Sequence, residues 1–118
     1  MSSFDRVALA TLPVLPTWLM RRLAARYIAG EDLEDALTKL EELARRGFSG
    51  ILDVLGEDVL DEGAAIAVLA AYRAAASAVA VKELDCYVSV KPTHLGLRLS
   101  EELCARRYEE LAGHCGTL

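Results

Sequence analysis

The first half of the chain carries apolar residues at helical spacing. The clearest set recurs at i, i+3, i+4 and i+7 between an acidic start and a basic end, and it comprises Leu33, Ala36, Leu37, Leu40, Leu43 and Ala44. Acids first and bases last complement the helix dipole, and Gly47 can adopt the left-handed conformation that often ends a helix. The pattern predicts a helix that closes at Gly47. An earlier helix is predicted over 17–29, where Thr17 can act as its cap.

Two short runs further along the chain predict β-strands. The run 49–56 is apolar on both faces apart from Asp53, which is typical of strands covered on both sides. The run 86–91 predicts the second strand. It stops before Pro92, which has no N–H to donate to a ladder.

A helix is predicted after each strand. Asp58 or Asp61 can start an alanine-rich helix that ends near Lys82. Ser100 can cap a last helix, in which three residues are expected to pack inward: Leu103, Tyr108 and Leu111.

The alanine-rich segment raises the question of a membrane span. Residues 64–81 are almost entirely apolar, and a span needs about 18–20 such residues. Arg73 interrupts the segment and alanine buries little area, so we interpret it as a helix packed on two sides within the protein. The apolar N-terminal stretch is broken by Pro13 and Pro16, and it fits neither a signal peptide nor a spanning helix.

The order strand, helix, strand, helix predicts parallel strands joined by a right-handed crossover. A (β/α)₈ barrel usually takes about 250 residues, so a chain of this length holds two of its eight units. The fold class is therefore predicted as α/β, an incomplete TIM-type barrel. Residues 1–47 form an N-terminal helical region, and residues 48–118 form the two βα units.

Composition narrows the function classes. The 118 residues are 53% hydrophobic, which excludes a disordered tail, and the net charge is −5. An acidic chain without a basic run is a poor nucleic-acid binder, because phosphate neutralisation supplies most of that affinity. Three cysteines without paired spacing suit a reducing compartment, so we expect a cytoplasmic protein with at most peripheral contact with the inner face of the membrane.

Strand alternation brings candidate chemistry to one face. Tyr87, Ser89 and Lys91 share a face of the second strand, and Asp53 lies on the corresponding face of the first. Lys91 then stands at the C-terminal end of its strand, where α/β folds place ligands, and its ammonium suits a carboxylate or phosphate. Projection into solvent or pairing with Asp53 are the structural alternatives.

Other candidates are weaker on spacing alone. Glu57 follows the first strand and is interpreted either as a gate or substrate contact or as a solvated loop acid. His94 and His114 stand apart from other ligand types, so no zinc site is predicted. The thiols are interpreted as small core residues: Cys86, Cys104 and Cys115.

Several motifs occur in an order that resembles a known family. They are 26–31 (RYIAGE), 33–36 (LEDA), 51–57 (ILDVLGE), 88–97 (VSVKPTHLGL) and 101–104 (EELC). The series resembles the N-terminal part of the flavin-dependent proline dehydrogenases of the single-function bacterial type, and the resemblance runs from about position 13 to position 112.

The resemblance implies a distorted (β/α)₈ barrel that holds FAD, oxidises L-proline to Δ1-pyrroline-5-carboxylate by hydride transfer to the flavin, and passes electrons to a membrane quinone. It also implies that Lys91 helps to hold the substrate carboxylate, and that Glu57 pairs with an arginine of the last barrel helix and closes the site. Two positions depart from the family pattern, because Pro92 and His94 stand where leucine and glutamine are usual.

Three hypotheses follow. The first is the N-terminal part of a proline dehydrogenase-like flavoenzyme, either truncated or one chain of a split barrel, which is inactive as an isolated chain. A split barrel would need a complementary barrel chain. The second is a non-catalytic interaction or oligomerisation module, which would form homo-oligomers through the open edge of a partial barrel. The third is a small helical domain in which the two strands are misassigned.

Overall fold

Helices and strands alternate along the part of the chain that the structure, a computed structural model, describes: residues 16, 18, 32–56 and 58–118. Within it the elements are α1 (Leu33–Arg45), β1 (Gly50–Asp53), α2 (Glu62–Val81), β2 (Cys86–Ser89) and α3 (Glu101–Cys115). All five lie in one compact unit, Asp32–Leu118. The helix predicted over 17–29 lies outside the described residues.

Side-chain caps explain where each helix begins. In each case the cap accepts the backbone N–H three residues on: Asp32 from Asp35 at 2.9 Å, Asp61 from Ala64 at 2.8 Å, and Ser100 from Leu103 at 3.3 Å. Asp61 therefore starts α2, whereas the sequence left Asp58 as an alternative. Gly47 has a φ of 80° just after α1, which confirms its predicted role at the end of that helix.

The two strands form a parallel pair, as predicted, so the all-helical alternative is wrong. Their register pairs Gly50 with Cys86, Ile51 with Tyr87, Leu52 with Val88, and Asp53 with Ser89. Both strands are shorter than the predicted runs 49–56 and 86–91, because pairing stops at Asp53 and Ser89. The described fold is mixed α/β, with three helices and one two-stranded parallel sheet.

Within residues 32–56 and 58–118, only one face of this sheet is covered, which differs from the prediction that the first strand is covered on both sides. Leu52 and Val88 point towards the helices and are partly buried. On the opposite face, Ile51 and Tyr87 are each 72% exposed, and Leu55 is 93% exposed. We call these two surfaces the packed face and the open face.

Two apolar clusters join the helices to the packed face. The first contains Leu37, Leu40 and Val79, and the second contains Leu69, Tyr72, Leu95, Cys104 and Leu111. Val88 packs against both clusters, so β2 is the element that connects them.

Helix α2 packs through one side, not through two as predicted. Its buried residues are Ala65, Leu69, Tyr72, Ala75, Ala76 and Val79, whereas Ile66 and Val81 are largely exposed. Length and hydropathy alone would allow this helix to cross a membrane, and 33% of its most apolar window is buried. Core helices of soluble proteins pass the same test.

Two further predictions about buried residues differ from the structure, one about helix α3 and one about the cysteines. Leu111 is buried as expected, but Tyr108 is 55% exposed, and the neighbouring Arg107 is buried instead. The cysteines are not all core residues either. Cys104 is buried, whereas Cys86 is half-buried and Cys115 is exposed.

Candidate functional site

The ends of the two strands bring polar side chains together on the open face. Asp53 ends β1, its partner Ser89 ends β2, and Lys91 follows two residues later. The Lys91 Nζ donates to Asp53 Oδ2 at 2.8 Å, and both side chains remain about two-fifths exposed, at 38% and 42%. The pairing with Asp53 that the sequence left open is therefore present. A substrate-binding role for Lys91 stays a prediction.

The ion pair sets the protonation of Asp53. The hydrogen bond from Lys91 lowers the pKa of the Asp53 carboxyl below its ordinary value of 3.8, and partial desolvation opposes this only in part. The Ser89 hydroxyl and the nearby His94 ring act in the same direction as Lys91. The open face thus presents a carboxylate and an ammonium side by side at neutral pH.

The backbone of Lys91 is held from the packed side. Its N–H donates to the Tyr72 hydroxyl at 3.2 Å, and its carbonyl accepts the N–H of His94 at 3.0 Å. Because strand pairing ends at Ser89, the tyrosine hydroxyl takes the place of the next ladder partner. Both backbone polar groups of Lys91 are therefore satisfied by two residues outside the sheet.

Tyr72 and His94 form a buried pair. They are 0% and 2% exposed, and the Tyr72 hydroxyl lies 3.1 Å from His94 Nδ1. His94 Nε2 is buried and has no hydrogen-bond partner among the residues that the structure describes. The ring lies against Gly56, where an added Cβ would come within 3.1 Å of Nε2. Glycine is therefore the residue that best accommodates this ring.

The turn between β2 and α3 is clamped by a buried cation. Arg107 Nη1 donates to the Leu95 carbonyl at 2.9 Å, and Nη2 contacts the Glu62 carboxylate at the start of α2. Cys104 Sγ lies 3.4 Å from the Pro92 carbonyl, so the proline that ends the strand is also held. These contacts tie the segment after Lys91 to both long helices.

Sequence reasoning missed this supporting network. It treated His94 as isolated, because 22 residues separate it from Tyr72. One signal was available, since Tyr72 is the only aromatic residue in the alanine-rich helix α2. Nothing in the spacing indicated that Arg107 would turn inward.

An apolar groove of about 420 Å³ lies beside β2, on the packed side of the sheet. Its walls come from α2, β2 and α3, and its lining includes Tyr72, Tyr108, Leu111, Cys86 and Cys115. Burial raises the pKa of the Cys86 thiol, so this cysteine is a poor nucleophile. Across residues 32–56 and 58–118, β2 pairs with β1 alone, and its other edge stands open beside the groove.

Other candidates contribute no site. In the described part of the chain, no three His, Cys, Asp or Glu side chains converge as metal ligands would. His114 Nε2 is within 2.8 Å of the Ser77 hydroxyl, which makes it a link between α3 and α2. Glu57 lies outside the described residues, so its gating role stays a prediction.

Comparison with known proteins shows what the chain is similar to. Proline dehydrogenase 1 of Bacillus subtilis subsp. natto is 39% identical over 80 residues, which is 68% of this chain and 26% of the relative. The protein of the same name from Bacillus subtilis strain 168 is 38% identical over the same extent. Over this stretch, the chain is similar to the proline dehydrogenases, which supports a partial relationship with that family.

The relationship with proline dehydrogenases is partial. The chain spans about a quarter, 26%, of the length of the Bacillus relatives. A proline dehydrogenase of Deinococcus radiodurans is 47% identical over 38 residues, which is 32% of this chain and 12% of that protein. No protein-family model matches the chain. The family resemblance seen in the motifs is confirmed, over fewer residues than the range 13–112.

The described residues do not form a flavin site. The N-terminus of each of the helices α1, α2 and α3 is capped by the side chain of the residue that precedes the helix. Two of these caps, Asp32 and Asp61, are carboxylates, which would repel a pyrophosphate. The ammonium of Lys91 on the open face is already paired with the Asp53 carboxylate. A flavin in a proline dehydrogenase built on this chain would have to be held by residues other than these.

Proposed function

We propose that this chain supplies part of the substrate site of a proline dehydrogenase-like flavoenzyme. The observation that supports the proposal is the position of Lys91, whose ammonium stands at the C-terminal end of a parallel strand on the open face. Ligands of α/β folds bind at this end of the strands. The partial similarity to proline dehydrogenases gives the reaction class.

The proposed architecture is the beginning of a (β/α)₈ barrel. Residues 1–47 would form the N-terminal helical region, and residues 48–118 would form the first two βα units. In such a barrel the helices cover the outside of the strands and the other face points inward. A face packed against helices and an open face on the other side of the sheet are compatible with this arrangement and support the proposal.

The proposed reaction of the complete flavoenzyme is the oxidation of L-proline to Δ1-pyrroline-5-carboxylate. FAD, held by residues other than those described, would supply the hydride acceptor, and a quinone would take up the electrons. Lys91 would bind and orient the proline carboxylate through a charge-assisted hydrogen bond. Because Asp53 already occupies the ammonium, binding must share or displace that carboxylate. Glu57 would pair with an arginine elsewhere in the barrel and exclude water. The isolated chain would be inactive. Its proposed location is the cytoplasm or the inner face of the membrane.

A chimera tests the proposal directly. This chain would replace its matching segment in Proline dehydrogenase 1 of Bacillus subtilis, and proline-dependent dye reduction would be measured. We expect activity, and we expect Lys91→Met to raise the KM for proline about 10- to 100-fold at unchanged flavin content, since a hydrogen bond to a charged group contributes about 1.5–3 kcal/mol.

Lys39→Met is the matched control, because Lys39 pairs with Glu42 on the surface of α1, outside the strand exits. Its KM should equal that of the parent chimera. A folded, flavin-loaded chimera in which Lys91→Met leaves the proline KM unchanged contradicts the assignment of Lys91. A folded chimera without proline activity contradicts the proposed function.

The 118-residue chain alone provides a simpler measurement. After incubation with FAD and desalting, we expect a colourless protein, because the capped helices and the paired Lys91 in the described part of the chain offer no pyrophosphate site. Retained flavin absorbance would mean that association of several chains creates a site, and proline oxidation would then be assayed.

A second candidate function is a non-catalytic interaction or oligomerisation module. The observation that favours it is the apolar groove of about 420 Å³ beside the unpaired edge of β2. Sedimentation of the chain over a range of concentrations separates the candidates. Concentration-dependent association without bound flavin favours the module, whereas a monomer favours a barrel segment.

A further inference from the structure

Lys91 is fixed by more than its strand. Its ammonium binds Asp53 on the open face, and its backbone N–H and carbonyl are bound by Tyr72 and His94 on the packed side. The next residue is Pro92, which has no N–H and cannot extend the ladder. The direction of the Lys91 side chain therefore depends on groups that lie behind the sheet.

The hydroxyl of Tyr72 links the backbone of Lys91 to the ring of His94. Its oxygen accepts the Lys91 N–H and lies 3.1 Å from His94 Nδ1, and the direction of that second hydrogen bond follows the tautomer of the imidazole. The other ring nitrogen, Nε2, is buried without a partner among the described residues. The polar side-chain contact that the described core makes with this ring is therefore the one at Nδ1.

We propose that the buried Tyr72–His94 pair is a positioning element for Lys91, holding the strand exit so that the ammonium points across the open face. Tyr72 supplies the acceptor that replaces the missing strand partner. His94 orients that hydroxyl through Nδ1 and also closes the turn through its own N–H. That Lys91 then meets a substrate rests on the proposed function, whereas the positioning itself does not.

The ion pair on the open face reports on Lys91 without any substrate. We define the coupling as the change in the Asp53 pKa caused by Lys91→Met, followed in the full chain by ¹³C NMR of the Asp53 carboxyl. The groups that shift the Asp53 pKa are Lys91 and Ser89 beside it and His94 behind the sheet. Because coupling is a difference between two chains that share Ser89 and His94, it isolates the contribution of the ammonium.

The decisive variant is Tyr72→Phe, which removes one hydroxyl and no charge. If the pair positions Lys91, coupling falls by at least half, and the Lys91 amide exchanges its hydrogen faster. Tyr108→Phe is the matched control, because Tyr108 is 55% exposed, and its coupling should equal that of the parent. Coupling in folded Tyr72→Phe that stays above half the parent value overturns the proposal, as does a similar loss in Tyr108→Phe.

A second pair of variants covers a failure of Tyr72→Phe to fold. His94→Asn keeps an acceptor near the position of Nδ1, whereas His94→Leu removes it. The proposal expects coupling to persist in His94→Asn and to fall in His94→Leu. Equal coupling in these two overturns it. Because no substrate is present, a failure here is distinct from a failure of the chimera to oxidise proline.

Discussion

The packed face and the open face of the sheet carry similar residue types and have opposite surroundings. Leu52 and Val88 meet the helices, while their neighbours in sequence, Ile51 and Tyr87, are each 72% exposed. Alternation along a strand sends successive side chains to opposite faces, so burial is decided by what covers each face and not by hydrophobicity. The comparison predicts that stability resides on the packed face and ligand chemistry on the open one.

The largest loss of stability is expected from a substitution in the apolar cluster behind the packed face. Leu95 is fully buried in the cluster around Tyr72, and Leu95→Ala leaves a cavity there. We expect the free energy of unfolding to fall by about 2–5 kcal/mol, measured by urea denaturation. Leu55→Ala is the matched control on the open face, where the side chain is 93% exposed, and it should change stability by less than about 0.5 kcal/mol. Equal losses in the two variants would contradict the comparison.

A smaller loss of stability is expected when the contacts of Arg107 with the turn after Lys91 are removed. Arg107→Met keeps the aliphatic length of the side chain but leaves the carbonyl of the buried Leu95 without its donor. We expect destabilisation of about 1–3 kcal/mol by thermal or urea unfolding. Arg106→Met is the neighbouring control, since Arg106 is exposed and pairs only with Glu102 along the helix, a kind of pair that contributes about 0.3–0.5 kcal/mol.

The contrast between these two arginines shows where sequence reasoning ends. Helix ends were predictable from local signals such as Gly47 and Ser100, and parallel pairing was predictable from the order strand, helix, strand. The contacts of Arg107 and His94 depend on partners 12 to 45 residues away, which no local pattern encodes.

The same limit explains the errors about burial. The run 49–56 is apolar enough for a strand covered twice, but coverage of the second face depends on polypeptide beyond the two strands. Lys91 itself was identified from strand alternation, and its pairing with Asp53 was one of the alternatives. The lone tyrosine of the alanine-rich helix marked Tyr72 as unusual, but the contact of its hydroxyl with the Lys91 backbone spans 19 residues and was not predictable.

The cap of α2 gives the next effect in size. Asp61→Ala removes the carboxylate that accepts the Ala64 N–H, and we expect a loss of about 1 kcal/mol in urea denaturation. Asp58→Ala tests the other start that the sequence allowed. Asp58 pairs with Arg98 at the surface, so its removal should cost less than removal of the cap. A larger loss of stability for Asp58→Ala than for Asp61→Ala would indicate that α2 begins at Asp58.

The smallest effect belongs to the open face. Lys91 lowers the pKa of Asp53, so the ionised carboxylate favours the folded state above its ordinary pKa of 3.8, and this contribution is lost as the pH falls through the lowered folded value. Wild type and Asp53→Asn should therefore differ slightly in stability at pH 7 and converge below pH 3.8. Added salt should narrow the difference at pH 7, because both side chains are solvent-exposed. A difference at pH 7 as large as that of Leu95→Ala would mean that the open face is covered in solution, and that the ion pair belongs to a core.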